Sequence, residues 1–192
     1  MTPPRSHKES LLRQRSRVIW LFGLSASGKT TLSNVLAEEL HRRGILATQL
    51  DGDDLRLGLS KGLGFSDADR TENLRRAAEV ARLLANSGVV ALCSFITPLR
   101  AQRDMIRQIV GEADLSAVHV AASLEACIQR EPKGLYSQAK SGRLAGLTGY
   151  EARFEFPAAG ENILTLETVD RTPADCAEEL LKALLPAIRP AG

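Results

Sequence analysis

The stretch that decides the fold is Gly23-Leu24-Ser25-Ala26-Ser27-Gly28-Lys29-Thr30, which matches G-x-x-x-x-G-K-[ST] at every fixed position. An unbroken apolar run at 18–22 precedes it, as expected of a strand buried on both faces. Downstream, apolar residues recur at helical spacing until Gly44, which stands where a C′ glycine would end a helix. Strand, glycine loop and helix in this order predict a site for the phosphates of a nucleoside triphosphate.

The chemistry of this loop follows from its backbone. The two glycines let N–H groups turn toward phosphate oxygens, and the start of the following helix adds positive partial charge. We predict that residues 23–31, ending at Thr31, bind the nucleotide. Lys29 is placed to reach the β- and γ-phosphates, and Thr30 to ligate Mg²⁺. The alternative is a strand–turn–helix that only resembles such a loop, and both flanks argue against it.

Composition is that of an ordinary globular domain. The 192 residues are 44% hydrophobic and 25% charged, which suffices to bury a core without disulfides. The net charge of +2 argues neither for nor against a polyanionic partner, and we predict neither a nucleic-acid nor a membrane partner. The three cysteines are odd in number and far apart, which predicts buried thiols in a reducing compartment. Since no apolar segment approaches transmembrane length, we predict a cytoplasmic protein.

The first sixteen residues differ in character from the rest of the chain. They are polar, basic and aperiodic, which predicts a flexible, solvated tail at 1–16 and a single domain at 17–192. A secretory signal peptide is excluded, because cleavage after the small residues at 25–27 would cut through the phosphate loop.

Five apolar runs alternate with helical patterns along the chain. They lie at 18–22, 45–50, 89–95, 118–121 and 163–166, and each predicts a strand. The alternation predicts an α/β fold, a parallel β-sheet with helices on both faces, of the P-loop nucleoside triphosphate hydrolase or kinase type. The stretch 131–160 is irregular and contains five glycines, which suits a lid or a substrate loop.

Carboxylates follow the second predicted strand directly. Asp51 and Asp53 are offset by two, so an extended backbone would point both side chains toward the opening of the phosphate loop. They could hold Mg²⁺ or accept a proton from an attacking hydroxyl. The alternative is a plain Asp-Gly turn.

Other side chains should lie near the same edge of the sheet. Arg56 and Arg70 suit a multiply charged anion, which arginine can bind with two parallel hydrogen bonds. Phe65 is either a local core residue or a stacking surface for a base. Thr97 follows the third strand and offers a hydroxyl there, or it is an N-cap before Pro98.

Further segments appear in a characteristic order. Together with the phosphate loop, they resemble the adenylylsulfate kinase (APS kinase) family over residues 18 to about 150. The segments are Asp-Gly-Asp-Asp-Leu-Arg at 51–56, Leu-Gly-Phe-Ser at 63–66, Asp-Arg-Thr-Glu-Asn at 69–73, Ser-Phe-Ile-Thr-Pro-Leu-Arg at 94–100 and Glu-Pro-Lys-Gly-Leu-Tyr at 131–136. Such enzymes use ATP to phosphorylate the 3′-hydroxyl of adenosine 5′-phosphosulfate (APS), and the product, 3′-phosphoadenosine 5′-phosphosulfate (PAPS), serves sulfate assimilation.

The resemblance implies roles for individual residues. Asp51 and Asp53 look like the family's carboxylates at the transferring phosphate, with Asp51 serving Mg²⁺ and Asp53 the attacking hydroxyl. Thr97 stands where the family usually has a serine that is often described as a phosphorylated intermediate. The implied contacts to the acceptor nucleotide are Asp53, Arg56, Phe65, Arg70, Asn73, Ile96, Lys133 and Leu135. The resemblance also implies a mobile lid at about 131–150 and a homodimer.

The sequence departs from the family pattern on the acceptor side. Leu147 replaces a phenylalanine that forms half of an aromatic clamp on the substrate adenine, and 150–157 differs from the usual acidic, proline-rich run. These departures leave open a related kinase for another nucleotide 3′-hydroxyl, such as a cytidine diphosphate phosphoramidate. A non-catalytic regulatory domain that binds nucleotide is a further alternative, which the intact Lys29 and Thr30 disfavour.

Overall fold

The computed structural model describes residues 3–131, 134–144 and 146–189. Its sheet has five strands in the order β2-β3-β1-β4-β5, and every neighbouring pair is parallel. The strands are β1 Val18–Phe22, β2 Ala47–Asp51, β3 Val90–Phe95, β4 Leu115–Ala121 and β5 Ile163–Glu167. The predicted parallel sheet is therefore confirmed. The carboxyl ends of all five strands meet at one edge, where ligands of such folds bind.

Helices cover both faces of the sheet, as predicted. They are α1 Arg5–Leu12, α2 Lys29–Arg42, α3 Gly52–Leu57, α4 Asp67–Asn86, α5 Arg100–Val110, α6 Leu124–Arg130, α7 Leu135–Lys140 and α8 Pro173–Ile188. Gly44, with φ of +71°, follows the end of α2 as the sequence predicts. Among the described residues, no helix has both the length and the apolar character that crossing a bilayer requires.

The central strand β1 explains why the phosphate loop is held rigidly. All five of its residues are buried, and they alternate between two apolar layers. Ile19 and Leu21 pack with α2 and α8, whereas Val18, Trp20 and Phe22 pack with α4 and α5. The phosphate loop therefore starts from a strand that is packed on both faces, and this packing fixes the position at which the loop begins.

The N-terminal segment differs from its prediction. Residues 5–12 form helix α1, and Arg5 makes two hydrogen bonds to Asp114, at 2.5 and 2.7 Å. Beyond the helix, Gln14 is 1% exposed and donates to the carbonyl oxygens of Leu46 and Gly88. The prediction of a solvated tail is wrong for the described residues of this segment. The helix buries no apolar side chain, so polar contacts hold it and no hydrophobic period marks it in the sequence.

Candidate active site

The phosphate loop is built around a close backbone approach. A Cβ at Gly23 would lie 2.4 Å from the carbonyl oxygen of Val120, so only glycine fits there. The Gly23 N–H donates to the Ile96 carbonyl oxygen at 3.2 Å, which joins the loop to the end of β3. Gly28 has φ of +102° and is the N-cap of α2, so the helix starts directly at the loop. This geometry confirms the predicted strand, glycine loop and helix.

Lys29 holds its charge inside the loop. Its side chain is 9% exposed, and Nζ donates to the carbonyl oxygens of Gly23 at 3.1 Å and Leu24 at 2.6 Å. An ammonium group has three donors that rotate freely on a flexible stem, so it can exchange a loop carbonyl for a phosphate oxygen. The position fits the predicted contact of Lys29 with the β- and γ-phosphates.

Thr30 and Asp51 come together at the rim of the loop. Thr30 Oγ1 donates to Asp51 Oδ2 at 2.8 Å, and Asp51 Oδ1 accepts from the Asp53 N–H at 3.0 Å. All three residues line a cavity of about 320 Å³ at the carboxyl end of β2. A hydroxyl and carboxylates beside room for water are the oxygen donors that Mg²⁺ prefers. The donor set therefore fits the predicted metal.

The local backbone around these carboxylates is not the one expected. Helix α3 begins at Gly52, with Asp51 as its N-cap and Asp53 in its first turn. The argument that an extended backbone aligns the two side chains is therefore wrong, and so is the alternative of a plain Asp-Gly turn. A six-residue helix here has no apolar period long enough to be recognised in the sequence.

Phe65 lies on the surface between two arginines. Its side chain is 70% exposed, and the guanidinium carbons of Arg56 and Arg70 lie 4.5 and 6.0 Å from its ring centroid. A core residue would be buried, so this alternative is wrong. An exposed ring with cations beside it is suited to stack on a nucleobase.

The two arginines are oriented by polar contacts. Arg56 donates to the carbonyl oxygen of Gly64 at 2.8 Å, while Arg70 donates to that of Phe65 at 2.8 Å and to Thr148 Oγ1 at 3.0 Å. Burial lowers the pKa of Arg56, and the neighbouring positive charge of Arg70 lowers it further. Arg56 nevertheless stays charged at neutral pH, because a guanidinium group is not deprotonated in proteins. Two repelling cations at one place favour a multiply charged anion between them.

Four buried polar side-chain atoms have no hydrogen-bond partner within the described part of the chain. They are Ser27 Oγ, Ser60 Oγ, Asn73 Oδ1 and Ser94 Oγ, and of these four residues Ser94 alone lines the cavity. Asn73 was predicted as a substrate contact, and it is 4% exposed on α4. Sequence reasoning missed Ser94. A polar residue next to the last position of an otherwise apolar strand was the signal that could have found it.

Thr97 is enclosed rather than open to a ligand. It is 1% exposed, has φ of +46°, and its Oγ1 accepts a hydrogen bond from Trp20 Nε1 at 2.9 Å. Helix α5 begins at Arg100 with Leu99 as its N-cap, so the N-cap interpretation of Thr97 is wrong. This contact gives the hydroxyl a structural partner in β1 directly beneath the phosphate loop.

Replacing Thr97 by valine is expected to destabilise the fold by about 1–3 kcal/mol, because the buried Trp20 N–H loses its acceptor. Trp20 is the single tryptophan of the chain, so a change in its emission spectrum should accompany the loss. Urea unfolding followed by fluorescence measures both effects. Thr97→Ser, which keeps the hydroxyl, is the control and should behave like wild type. A valine variant with wild-type stability and emission would contradict the structural assignment.

Residues of the predicted lid that the structure describes pack on the phosphate loop. Tyr136 donates through its hydroxyl to the Ser25 carbonyl oxygen at 3.1 Å. Its ring belongs to an apolar cluster that includes Leu24 of the loop, and Leu135 packs against this cluster. Leu147 is 7% exposed and lies in that cluster with Leu24. Lys133, a predicted substrate contact, lies outside the described residues. Leu147 therefore serves as packing behind the loop and presents no open stacking face.

The parallel sheet, the glycine loop between β1 and α2, and the Thr30–Asp51 pair at the loop's rim define a P-loop kinase. A family model described as "Adenylylsulphate kinase" matches residues 15–165. The chain belongs to the adenylylsulphate kinase family.

Individual relatives agree with this assignment. The adenylyl-sulfate kinase of Bacteroides thetaiotaomicron is 43% identical over 184 residues, which are 96% of this chain and 90% of that protein. The APS kinase CysC of Mycobacterium tuberculosis, solved in complex with AMPPNP and APS, is 38% identical with a TM-score of 0.84, covering 89% of this chain and 98% of that chain. A hexameric APS kinase from Thiobacillus denitrificans is 28% identical with a TM-score of 0.67, covering 96% of this chain and 30% of that chain.

Proposed function

We propose that this chain transfers the γ-phosphoryl group of ATP to the 3′-hydroxyl of APS, giving PAPS and ADP for sulfate assimilation. The observation that carries the proposal is the short helix α3, which joins the two halves of the site. Asp51 caps its start beside Thr30, and Arg56 in its last turn contacts the Phe65 ring. Six helical residues span only about 9 Å. The candidate metal ligands Thr30 and Asp51 therefore lie close to Arg56, which we assign to the anionic acceptor.

The donor half neutralises charge on the transferring phosphoryl group. Lys29 holds its ammonium in the loop, and Thr30 with Asp51 would hold Mg²⁺, which would neutralise negative charge on the phosphates. Phosphoryl transfer depends mainly on positioning and charge neutralisation, so no side-chain nucleophile is needed. We therefore assign Thr97 no chemical step, in keeping with its bond to Trp20.

The acceptor half binds and orients the second nucleotide. Phe65 stacks on its base, Arg56 and Arg70 bind its phosphosulfate, and Asp53 accepts the proton of the attacking hydroxyl. We place Asn73 and Ile96 beside this nucleotide, since the buried Asn73 Oδ1 has no hydrogen-bond partner among the described residues and Ile96 borders the loop at Gly23. Residues 131–150, with Lys133 and Leu135, would close over the site and exclude water.

The setting of the enzyme is part of the same proposal. The three cysteines are free and buried, which supports a reducing compartment such as the cytoplasm.

We propose a homodimer on the family resemblance. Light scattering would show a mass of about twice the 20.8 kDa chain, whereas a hexamer or a monomer would contradict the dimer.

The decisive experiment is an assay with APS, ATP and Mg²⁺. PAPS and ADP should form in equal amounts, and omission of Mg²⁺ should stop the reaction. In a second arm, other nucleotides with a free 3′-hydroxyl, including a cytidine diphosphate phosphoramidate, are added as competitors at a concentration equal to that of APS. No PAPS above background would refute the proposal. Faster phosphorylation of a competitor would establish the related-kinase alternative, which the buried Leu147 keeps open because it offers the adenine no second ring.

A further inference from the structure

Ser94 is a buried hydroxyl that the proposed mechanism leaves without a role. The residue is 5% exposed, and its Oγ has no hydrogen-bond partner among residues 3–131, 134–144 and 146–189. Buried hydroxyls are almost always paired, because an unpaired one has lost its bonds to water without replacement. An unpaired hydroxyl at a ligand site therefore indicates a partner that arrives with the ligand.

The sheet determines where this hydroxyl points. Side chains alternate along a strand, so Ser94 lies on the same face as Val90 and Leu92, which pack in the apolar layer beneath α2. In the parallel register, Ser94 pairs with Asp51 on β2 and with Leu21 on β1. Ser94 is the polar end of this apolar row, and it faces the helix whose first turn carries Thr30.

The space in front of Ser94 is the cavity beside the candidate metal ligands. It measures about 320 Å³, and Thr30, Asp51, Asp53 and Ser94 are among its lining residues. Since a water molecule occupies about 30 Å³ in the liquid, the cavity has room for a cation and several waters. Mg²⁺ typically keeps several of its waters and binds through only one or two carboxylates. Those waters need acceptors, and a serine hydroxyl is one.

We infer that Ser94 is a positioning residue for Mg²⁺·ATP, whose hydroxyl holds a water molecule bound to the metal that Thr30 and Asp51 ligate. The inference rests on the proposed function only in requiring that the chain bind ATP with a divalent metal; it does not depend on which acceptor is phosphorylated. Outer-sphere contacts of this kind orient a metal's ligands, and their loss weakens metal binding by about 10–100-fold.

The test measures metal binding without turnover. Mn²⁺ replaces Mg²⁺, ATP is present, the acceptor is absent, and electron paramagnetic resonance reports free and bound Mn²⁺. Ser94→Ala should raise the dissociation constant of Mn²⁺ in the ternary complex about tenfold. Ser94→Thr, which retains a hydroxyl, should recover most of the affinity. Ser60→Ala is the matched control, since Ser60 is another buried hydroxyl with no partner in the described part of the chain but is absent from the cavity lining.

Thermal unfolding supplies a second readout. Without metal and nucleotide, Ser94→Ala removes an unpaired group and should leave the Tm unchanged or raise it. With Mn²⁺·ATP added, its Tm should rise less than that of wild type, because weaker binding stabilises less.

The outcomes separate the inference from the proposed function. Unchanged Mn²⁺ affinity in Ser94→Ala would overturn the inference, and so would a lower Tm or misfolding of that variant in the metal-free state, since either shows a structural role. If the wild-type protein itself fails to bind Mn²⁺·ATP, both the inference and the proposed function fail. If wild type binds Mn²⁺·ATP but forms no PAPS, the acceptor assignment fails and the role of Ser94 stands on its own measurement.

Discussion

Replacing Lys29 by alanine is expected to lower turnover by at least ~10³-fold while the fold persists. Removal of one preorganised charge-stabilising donor typically reduces kcat by about 10²–10³, and cationic groups that neutralise a transferring phosphoryl group contribute up to about 10⁵. The structure supports an effect at the high end, because Lys29 is 9% exposed and holds its charge within the loop. PAPS formation at saturating ATP and APS measures the loss.

Two further variants show whether the charge itself is responsible. Lys182→Ala removes a lysine whose side chain is 73% exposed on α8, and it should have wild-type activity. Lys29→Arg keeps the charge but substitutes a planar fork for a compact ammonium group, so we expect it to recover little. A Lys29→Ala enzyme that turns over at the wild-type rate would refute the assignment of the phosphate loop.

Replacing Arg103 by methionine is expected to destabilise the protein by about 3–5 kcal/mol. Arg103 forms two hydrogen bonds with the Glu161 carboxylate, at 2.9 and 3.1 Å, and the side chains are 3% and 2% exposed. The arginine also lies 5.3 Å from the ring centroid of Phe22. Methionine would fill part of the space but leave a buried carboxylate without its positively charged partner, with the Ala158 N–H still donating to it. Urea unfolding measures the difference through the shift of its midpoint, provided that the m-value is unchanged.

The double variant and the pH dependence test the cause. Adding Glu161→Leu to Arg103→Met removes the stranded charge and should recover most of the lost stability. In wild type, the hydrogen bond from Arg103 lowers the pKa of Glu161 below its ordinary 4.5, so this contribution is present above that pH and is lost as the pH falls through the lowered pKa. In Arg103→Met the buried carboxyl binds a proton more readily, so the stability difference should shrink on acidification. A double variant no more stable than the single one would contradict the ion-pair explanation.

What the sequence determined by itself was local and periodic. The loop around Gly28 and Lys29 was recognisable because its chemistry requires fixed residues at fixed spacing. Strands β1 and β3 were recognisable as continuous apolar runs because all of their residues are buried, and β1 has the predicted bounds of 18–22. Parallel order followed from the alternation of strands with helices.

What only the tertiary structure decided depends on contacts between distant parts of the chain. The Trp20–Thr97 bond joins residues 77 positions apart, and the Arg5–Asp114 pair joins residues 109 apart. Such polar contacts leave no period in the sequence, so Thr97 was left between an available hydroxyl and an N-cap, and residues 1–16 were expected to be a tail. That the Ser94 hydroxyl is buried and lacks a hydrogen-bond partner among the described residues became visible only when strand register and burial were known. Hydrophobic periodicity specifies the layers of this fold, whereas the partner of each polar side chain is set by which elements the fold brings together.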